Sequence, residues 1–427
     1  MHLAQILSLG IICQVSAGVI GFCGLPHSTT SLPRAVATPT ISYSQQVQLL
    51  DGWVADLTAR TQRDPRSWLA LESLANTYRE RALFTGTTLD LTRAEEVMAR
   101  SFEVAGPGAG PYLSRARLHS TLHRFSAAEA DLVLASDEIA LDVRDAAGIA
   151  ALRATIAFQT GRFAQAFAAW DRSLTLFPTA SALVALADAQ ACTGEPDAAA
   201  ELLQRAHLMI NERDPRSEAW VSVQQGIFNM DRGRWAEAAA DFHKAETVLP
   251  GWWFTTARQA DLRARRGEHT AAVVMYTKLA QSTGKPELMD ALATELRVIG
   301  GHDTAAASWS ALAGLAFDDL LQRQPEAAYG HALDHFLATG TDPERLMFIA
   351  EKNYQLRPGG EATMKLAHAY FIGGHLPEAV TTIEKVLASP YSTAAVHRLA
   401  AQIFTARGDL VRATAETNRS LEIDPHG

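Results

Sequence analysis

Residues 394–425 read AAVHRLAAQIFTARGDLVRATAETNRSLEIDP and contain the pattern that decides the fold. Two apolar runs with a spacing of 3.6 residues lie on either side of Gly408, and Pro425 follows the second run. That spacing predicts two amphipathic helices. Glycine is favoured where a helix ends in a left-handed residue, and proline cannot continue a helix. The stretch therefore predicts a helix-turn-helix unit.

Glycines recur at the same place in successive units of this kind. They are spaced 34 residues apart from Gly233 to Gly408, except for one step of 39 residues from Gly301 to Gly340. This is the period of helix-turn-helix repeats that stack into a solenoid. Comparable units extend back to Trp68, so the sequence predicts about ten of them. Each unit can bury its apolar face only against its neighbours.

Small residues also recur within the units. In the unit around Gly374 they are Ala367 and Ala379, with Tyr370 between them and Pro390 at the end. This arrangement resembles the tetratricopeptide repeat (TPR), and the chain is most similar to exported bacterial proteins that consist only of such repeats. The resemblance covers residues 67–427. It implies an all-α, right-handed superhelical solenoid of antiparallel helix pairs, about ten in number, whose first helices line the concave face.

Two units depart from the regular pattern. His123 stands where the other units have glycine. In the long step after Gly301, residues 304–322 predict an extended second helix. A longer helix projects beyond its neighbours and can form a docking ridge.

The N-terminal residues differ in composition from the repeats. Residues 1–25 are apolar and contain no Lys or Arg, which predicts a signal peptide or an uncleaved membrane anchor. Residues 26–42 are rich in Ser, Thr and Pro and predict a flexible linker. Residues 43–66 predict one helix that caps the first repeat. We therefore expect an exported protein, periplasmic or secreted, with membrane anchoring through the N-terminal segment as the alternative.

Charge and cysteine content exclude some classes of protein. The formal net charge of −9 and the lack of a basic stripe argue against nucleic acid as a partner. Only Cys192 lies beyond the apolar N-terminal segment, so a disulfide framework is excluded.

The TPR resemblance places ligand contacts on the first helices. At one position of the first helices, different units have Asp188, Asp261, Glu295, Asp334, His368 and Gln402. Phe158 and Phe371 occupy a neighbouring position that also carries ligand contacts in the resembling family. Four carboxylates in one column predict a groove for a basic, partly apolar peptide. An ordinary solvated helix face is the alternative for these residues. The resulting hypothesis is a non-catalytic protein- or peptide-binding scaffold without a cofactor.

Two other functions stay open. His331 and His335 are four residues apart and share a helix face, with Asp334 between them and His368 in the next repeat. This spacing is compatible with a metal-binding or enzymatic site, but it includes no HExxH glutamate and no cysteine ligand, which favours packing roles. The other alternative is a self-associating structural element.

Aromatic residues cluster around Trp252, Trp253 and Phe254, with Trp220 and Trp235 in the preceding unit. Such a group can form a binding platform for a peptide or a carbohydrate, or it can fill the core.

We predict that residues 1–25 are removed or embedded in a membrane, because they form an apolar run without a basic residue. N-terminal sequencing of the native protein after cell fractionation tests this prediction. Recovery of Met1 from a soluble cytoplasmic fraction would contradict both outcomes.

Overall fold

The computed structural model describes residues 41–106, 108–137, 141–210, 214–340 and 342–426. Every regular element in these ranges is a helix. The predicted signal peptide or anchor at 1–25 and nearly all of the predicted linker at 26–42 lie outside the described residues. None of the helices in the described ranges is long and apolar enough to cross a bilayer.

Twenty-one helices follow one another along the described chain. They are α1 (Tyr43–Arg63), α2 (Trp68–Thr85), α3 (Leu89–Val104), α4 (Tyr112–Thr121), α5 (Phe125–Ser136), α6 (Val143–Gln159), α7 (Phe163–Leu176), α8 (Ala180–Cys192), α9 (Pro196–Leu208), α10 (Pro215–Met230), α11 (Trp235–Val248), α12 (Trp253–Arg265), α13 (His269–Thr283), α14 (Pro286–Ile299), α15 (Asp303–Arg323), α16 (Pro325–Thr339), α17 (Pro343–Leu356), α18 (Gly360–Ile372), α19 (Leu376–Leu387), α20 (Ala394–Arg407) and α21 (Leu410–Ile423). From α2 onward they form ten hairpins, so the predicted all-α solenoid is confirmed.

The turn inside each hairpin has the backbone conformation that the glycine period predicts. Gly374 and Gly408, for example, have φ angles of 79° and 83°, in the left-handed region. His123 takes the glycine position of its unit with a φ of 58°, and it is the one non-glycine residue with positive φ among those described. Because a Cβ disfavours this region, His123 is held in place by its surroundings.

The helices of a hairpin pack through small side chains. Ala367 on the first helix and Ala379 on the second are both completely buried. The end of the stack is covered by α1, whose Ser42 forms a capping box with Gln45. Leu50 on this helix is also completely buried. A helix therefore lies where the sequence predicts the N-terminal cap.

Successive turns of the superhelix contact each other directly. The Tyr43 amide donates a hydrogen bond to the Pro250 carbonyl at 3.0 Å, and the Ser392 amide donates one to the Cys192 carbonyl at 2.8 Å. These partners are about 200 residues apart in the sequence. The first turn of the solenoid is thus packed against the second along a seam.

Backbone segments approach very closely at the middle of this seam. A Cβ on Gly359 would lie 2.5 Å from the Gln159 carbonyl oxygen, and one on Gly161 would lie 2.9 Å from the Pro358 carbonyl oxygen. Position 359 requires glycine because a side chain would collide with the neighbouring backbone. Position 161 requires it for the same reason and also because its φ of 77° is in the left-handed region.

The extended second helix is present. Helix α15 spans 21 residues, as the longer step in the repeat predicts. Leu312 and Leu315 on this helix are 48% and 67% exposed. Its use as a docking ridge remains a prediction.

We predict that Ala379→Phe lowers the free energy of unfolding by about 1–3 kcal/mol, because the added ring has no space at the hairpin interface. Chemical denaturation measures this change, and hydrogen exchange should show that neighbouring hairpins loosen as well. Ala415→Phe on the exposed face of α21 is the matched control. Equal effects of the two substitutions would contradict the predicted register.

Candidate inner-face site

First helices from both superhelical turns converge on a cavity of about 120 Å³. Helices α8 and α10 come from the first turn, and α18 and α20 come from the second. Apolar side chains, including Val184, Ile227 and Met364, line much of the cavity. The inner faces on which the resemblance places ligand contacts thus do meet at one site.

An arginine joins two carboxylates at the rim of this cavity. Arg265 lies 3.3 Å from the Asp231 carboxylate and 3.7 Å from the Asp424 carboxylate. Burial raises the pKa of Asp231 to about 6, against a smaller opposite effect of Arg265. Next to Asp424, the ring of His426 stacks on Trp235 with centroids 4.0 Å apart. The C-terminal residues are thereby fixed against the preceding turn.

A buried lysine organises the opposite part of the inner face. The Lys365 ammonium donates to Asp334 at 2.8 Å and to the Gly330 carbonyl at 3.1 Å, and it pairs with Glu361 at 3.1 Å. Only 4% of its side chain is exposed. Burial raises the pKa of Asp334 to about 6, although Lys365 opposes that rise. Asp334 therefore serves as an ion-pair partner within the protein.

The middle of the predicted acidic column is also paired internally. The Glu295 carboxylate lies 2.8 Å from His269 Nδ1. Asp261 pairs with Arg258 at 2.9 Å and accepts a hydrogen bond from the Tyr276 hydroxyl.

An open acidic groove would leave the side chains of Asp261 and Glu295 exposed. This expectation is wrong, because only 14% of the Asp261 side chain and 10% of the Glu295 side chain are exposed. The physical reason is that donors from α12 and α13 reach the carboxylates. These two members of the column are therefore paired within the protein and not open to solvent.

The remaining predicted residues differ in their surroundings. Asp188 lines the inner cavity. Phe158 is buried against Trp170 and Tyr391. His368, Phe371 and Gln402 are half-buried. Among the eight predicted contact residues, Asp188 alone lines this cavity, and all eight are buried or half-buried. Whether these residues bind a partner is still a prediction.

The residues of the metal-site alternative have separate partners. His331 Nδ1 lies 3.3 Å from Glu287, and His335 Nδ1 lies 2.9 Å from Asp290. Within the described ranges, no three His, Cys, Asp or Glu residues are grouped so that they could hold a metal ion.

The aromatic cluster contributes to the core. Trp252 is 4% exposed and Trp220 is 9% exposed. The indole nitrogens of Trp252 and Trp253 both donate to the Phe84 carbonyl, at 3.3 and 3.0 Å. This carbonyl belongs to the first hairpin, so the cluster helps to hold the two turns together.

Sequence reasoning did not identify the basic residues of the inner face. Arg265 pairs with Asp231 and Asp424, and Lys365 pairs with Asp334 and Glu361. Of these four acids, only Asp334 was among the predicted contact residues. One signal was available: Glu361 and Lys365 are four residues apart on a first helix, which is the spacing of a helical ion pair. No local signal points to Asp424, since it reaches Arg265 only across the seam.

The geometry defines a class of protein, a solenoid of helix hairpins with an enclosed inner face. Residues 151–216 and 364–427 match the tetratricopeptide repeat family. These two regions therefore match tetratricopeptide repeats, and the resemblance of the chain to that superfamily is confirmed. No curated protein matches the chain.

Several solved structures have a similar arrangement of helices. Yeast Tom70 is 15% identical over 89% of this chain and 88% of its own, with a TM-score of 0.45. A tetratricopeptide repeat protein from Parabacteroides merdae is 18% identical over 57% of this chain and 93% of its own, with a TM-score of 0.35. The human IFIT1 dimer with m7Gppp-AAAA is 13% identical over 86% and 94%, with a TM-score of 0.43. These similarities concern the fold alone.

We predict a pH-dependent contribution of His368 to stability. Burial lowers its pKa from 6.5 to about 4. Between these values the unfolded chain binds a proton that the folded chain does not, so this contribution is complete above pH 6.5 and is lost as pH falls toward 4. The unfolding free energy of the wild type minus that of His368→Gln should therefore decrease as the pH is lowered from 7 to 5. Urea denaturation at several pH values measures it, and a constant difference would contradict the prediction.

Proposed function

We propose that this protein is a non-catalytic scaffold that binds a partly apolar, basic segment of a protein partner at its inner cavity. The observation that carries the proposal is the convergence of first helices from two turns on one cavity with apolar walls and charged residues. An apolar side chain of the partner would enter the cavity, and the charged residues would orient the flanking segment. Neither a catalytic group nor a cofactor is part of this proposal.

The preference for a basic segment rests on the charges around the cavity. Its lining includes the acids Asp188, Asp231, Glu361 and Asp424 and the bases Arg232, Arg265 and Lys365. Acids thus outnumber bases, and Asp231 and Asp424 are both within reach of the same arginine. The net charge of −9 acts in the same direction over a longer range. Association with a basic partner should accordingly slow as the salt concentration rises.

We also propose that the scaffold acts outside the cytoplasm, in the bacterial periplasm or as a secreted protein. The support is the apolar segment at residues 1–25, whose fate the N-terminal sequencing described above would establish. Any contact with a membrane would be made through that segment if it is not cleaved.

We predict that Ala191→Trp reduces partner binding at least tenfold, because the indole fills the cavity that Ala191 lines. Ala168→Trp on the exposed face of α7 is the matched control. Proteins retained by wild-type and Ala168→Trp columns are identified, and the affinity of each is then measured with the three purified proteins. Melting curves establish that both variants are folded.

A partner that binds Ala191→Trp as tightly as the control would exclude the inner cavity as its site. If Ala191→Trp is unfolded, Asp188→Asn gives the second measurement, because it removes one cavity carboxylate with little change in size. Unchanged affinity and unchanged salt dependence in that variant would argue against recognition of a basic segment.

A further inference from the structure

A second and larger cavity lies at the seam between the turns. Its volume is about 270 Å³. The connection between α2 and α3 contributes one side, and the beginnings of α12 and α14 contribute another, together with α16. Small-molecule sites have volumes of about 300–1,000 Å³, so this cavity is near the lower end of that range. It is separate from the inner cavity and has no part in the function proposed above.

One wall of the seam cavity is an aromatic surface that is held rigidly. The indoles of Trp252 and Trp253 are both anchored on the Phe84 carbonyl. Leu91 and Leu320 add aliphatic surface. This combination suits a flat or branched apolar group of modest size.

Charges of opposite sign face the same cavity. The Lys285 ammonium lies 4.7 Å from the centre of the Trp253 ring. Glu287, two residues later, lines the cavity and lies 3.3 Å from His331 Nδ1. Burial lowers the pKa of His331 to about 4, so this histidine is neutral at pH 7 and adds no positive charge. The cavity therefore presents one cation and one anion.

His123, the residue with the left-handed backbone, also lines the cavity but adds no charge to it. Its side chain is 6% exposed, and its Nδ1 atom is buried without a hydrogen-bond partner and without accessible surface. Nδ1 therefore does not face the cavity. Burial holds the pKa of His123 well below its ordinary value, so the ring is neutral.

We propose that the seam cavity binds a free α-amino acid with an aromatic or branched apolar side chain. The Lys285 ammonium binds the carboxylate of the ligand, and the ammonium group of the ligand donates to Glu287. The side chain lies against Trp253 and the aliphatic residues. Because the ligand contacts residues from both turns, its binding closes the seam more firmly.

The two charges exclude simpler ligands of the same size. A carboxylic acid without an amine would place its charge near Glu287 with nothing to compensate that carboxylate. An amine without a carboxylate would place its positive charge near the Lys285 ammonium, with nothing to compensate that charge. Burying an uncompensated charge is costly, so the zwitterion is favoured over either analogue.

The test uses three probes that share a phenyl group and differ in their charged groups. L-Phenylalanine, 3-phenylpropionate and 2-phenylethylamine are titrated into the full-length protein in a calorimeter. We expect saturable binding of L-phenylalanine that is at least tenfold tighter than that of either analogue. If neither L-phenylalanine nor L-leucine binds saturably at millimolar concentration, or if an analogue binds equally well, the proposal is overturned.

Substitutions at the two charged residues assign the contacts. Lys285→Met should remove the preference for L-phenylalanine over 2-phenylethylamine, and Glu287→Gln should remove its preference over 3-phenylpropionate. Lys278→Met, on the exposed face of α13, is the control for loss of a lysine and should leave all affinities unchanged. Preferences that persist in both cavity variants would overturn the assignment.

One further variant places the ligand within the cavity. Ala327→Phe fills the space that Ala327 lines and should abolish binding of L-phenylalanine. Binding that survives the filled cavity would overturn the proposal. A melting curve of this variant excludes unfolding as the cause of a loss.

Discussion

Contact between successive turns of the superhelix is the constraint on which the rest of this structure depends. Within each turn a hairpin needs only its neighbours, as in any solenoid. Here the backbone at Gly359 also approaches the Gln159 carbonyl so closely that no side chain fits between them. Further contacts join residues near both ends of the described ranges to distant hairpins, as Tyr43 to Pro250 and His426 to Trp235. The seam thus adds contacts between distant hairpins to those between neighbours.

Burial explains the electrostatics of the inner face. A buried charge requires a partner, and here the partners come from the same helix, from a neighbouring hairpin or from across the seam. Lys365 pairs with Asp334 and Glu361, and Arg265 pairs with acids from two parts of the chain. The raised pKa values of Asp231 and Asp334 have the same origin, since burial is the main cause in both. A peptide that enters the inner face must compete with these internal pairs.

The seam also connects the two proposed sites. The inner cavity collects residues from α8, α10, α18 and α20, and the seam cavity collects residues from the first hairpin and from α12, α14 and α16. Both are therefore built from two turns, and any change in the contact between turns alters both.

Local spacing in the sequence was sufficient to predict the repeat, its helix pairs and their turns, which depend on residues such as Gly374 and Gly408. It was also sufficient to locate the extended helix α15 and the unusual position of His123. Which distant hairpins touch became apparent only from the folded chain. Asp424 and Arg265 are 159 positions apart. Their contact depends on how far the superhelix rises in each turn, and a 34-residue period does not determine that rise. The exposure predicted for Asp261 and Glu295 was wrong for a local reason instead, because donors on α12 and α13 pair with these carboxylates.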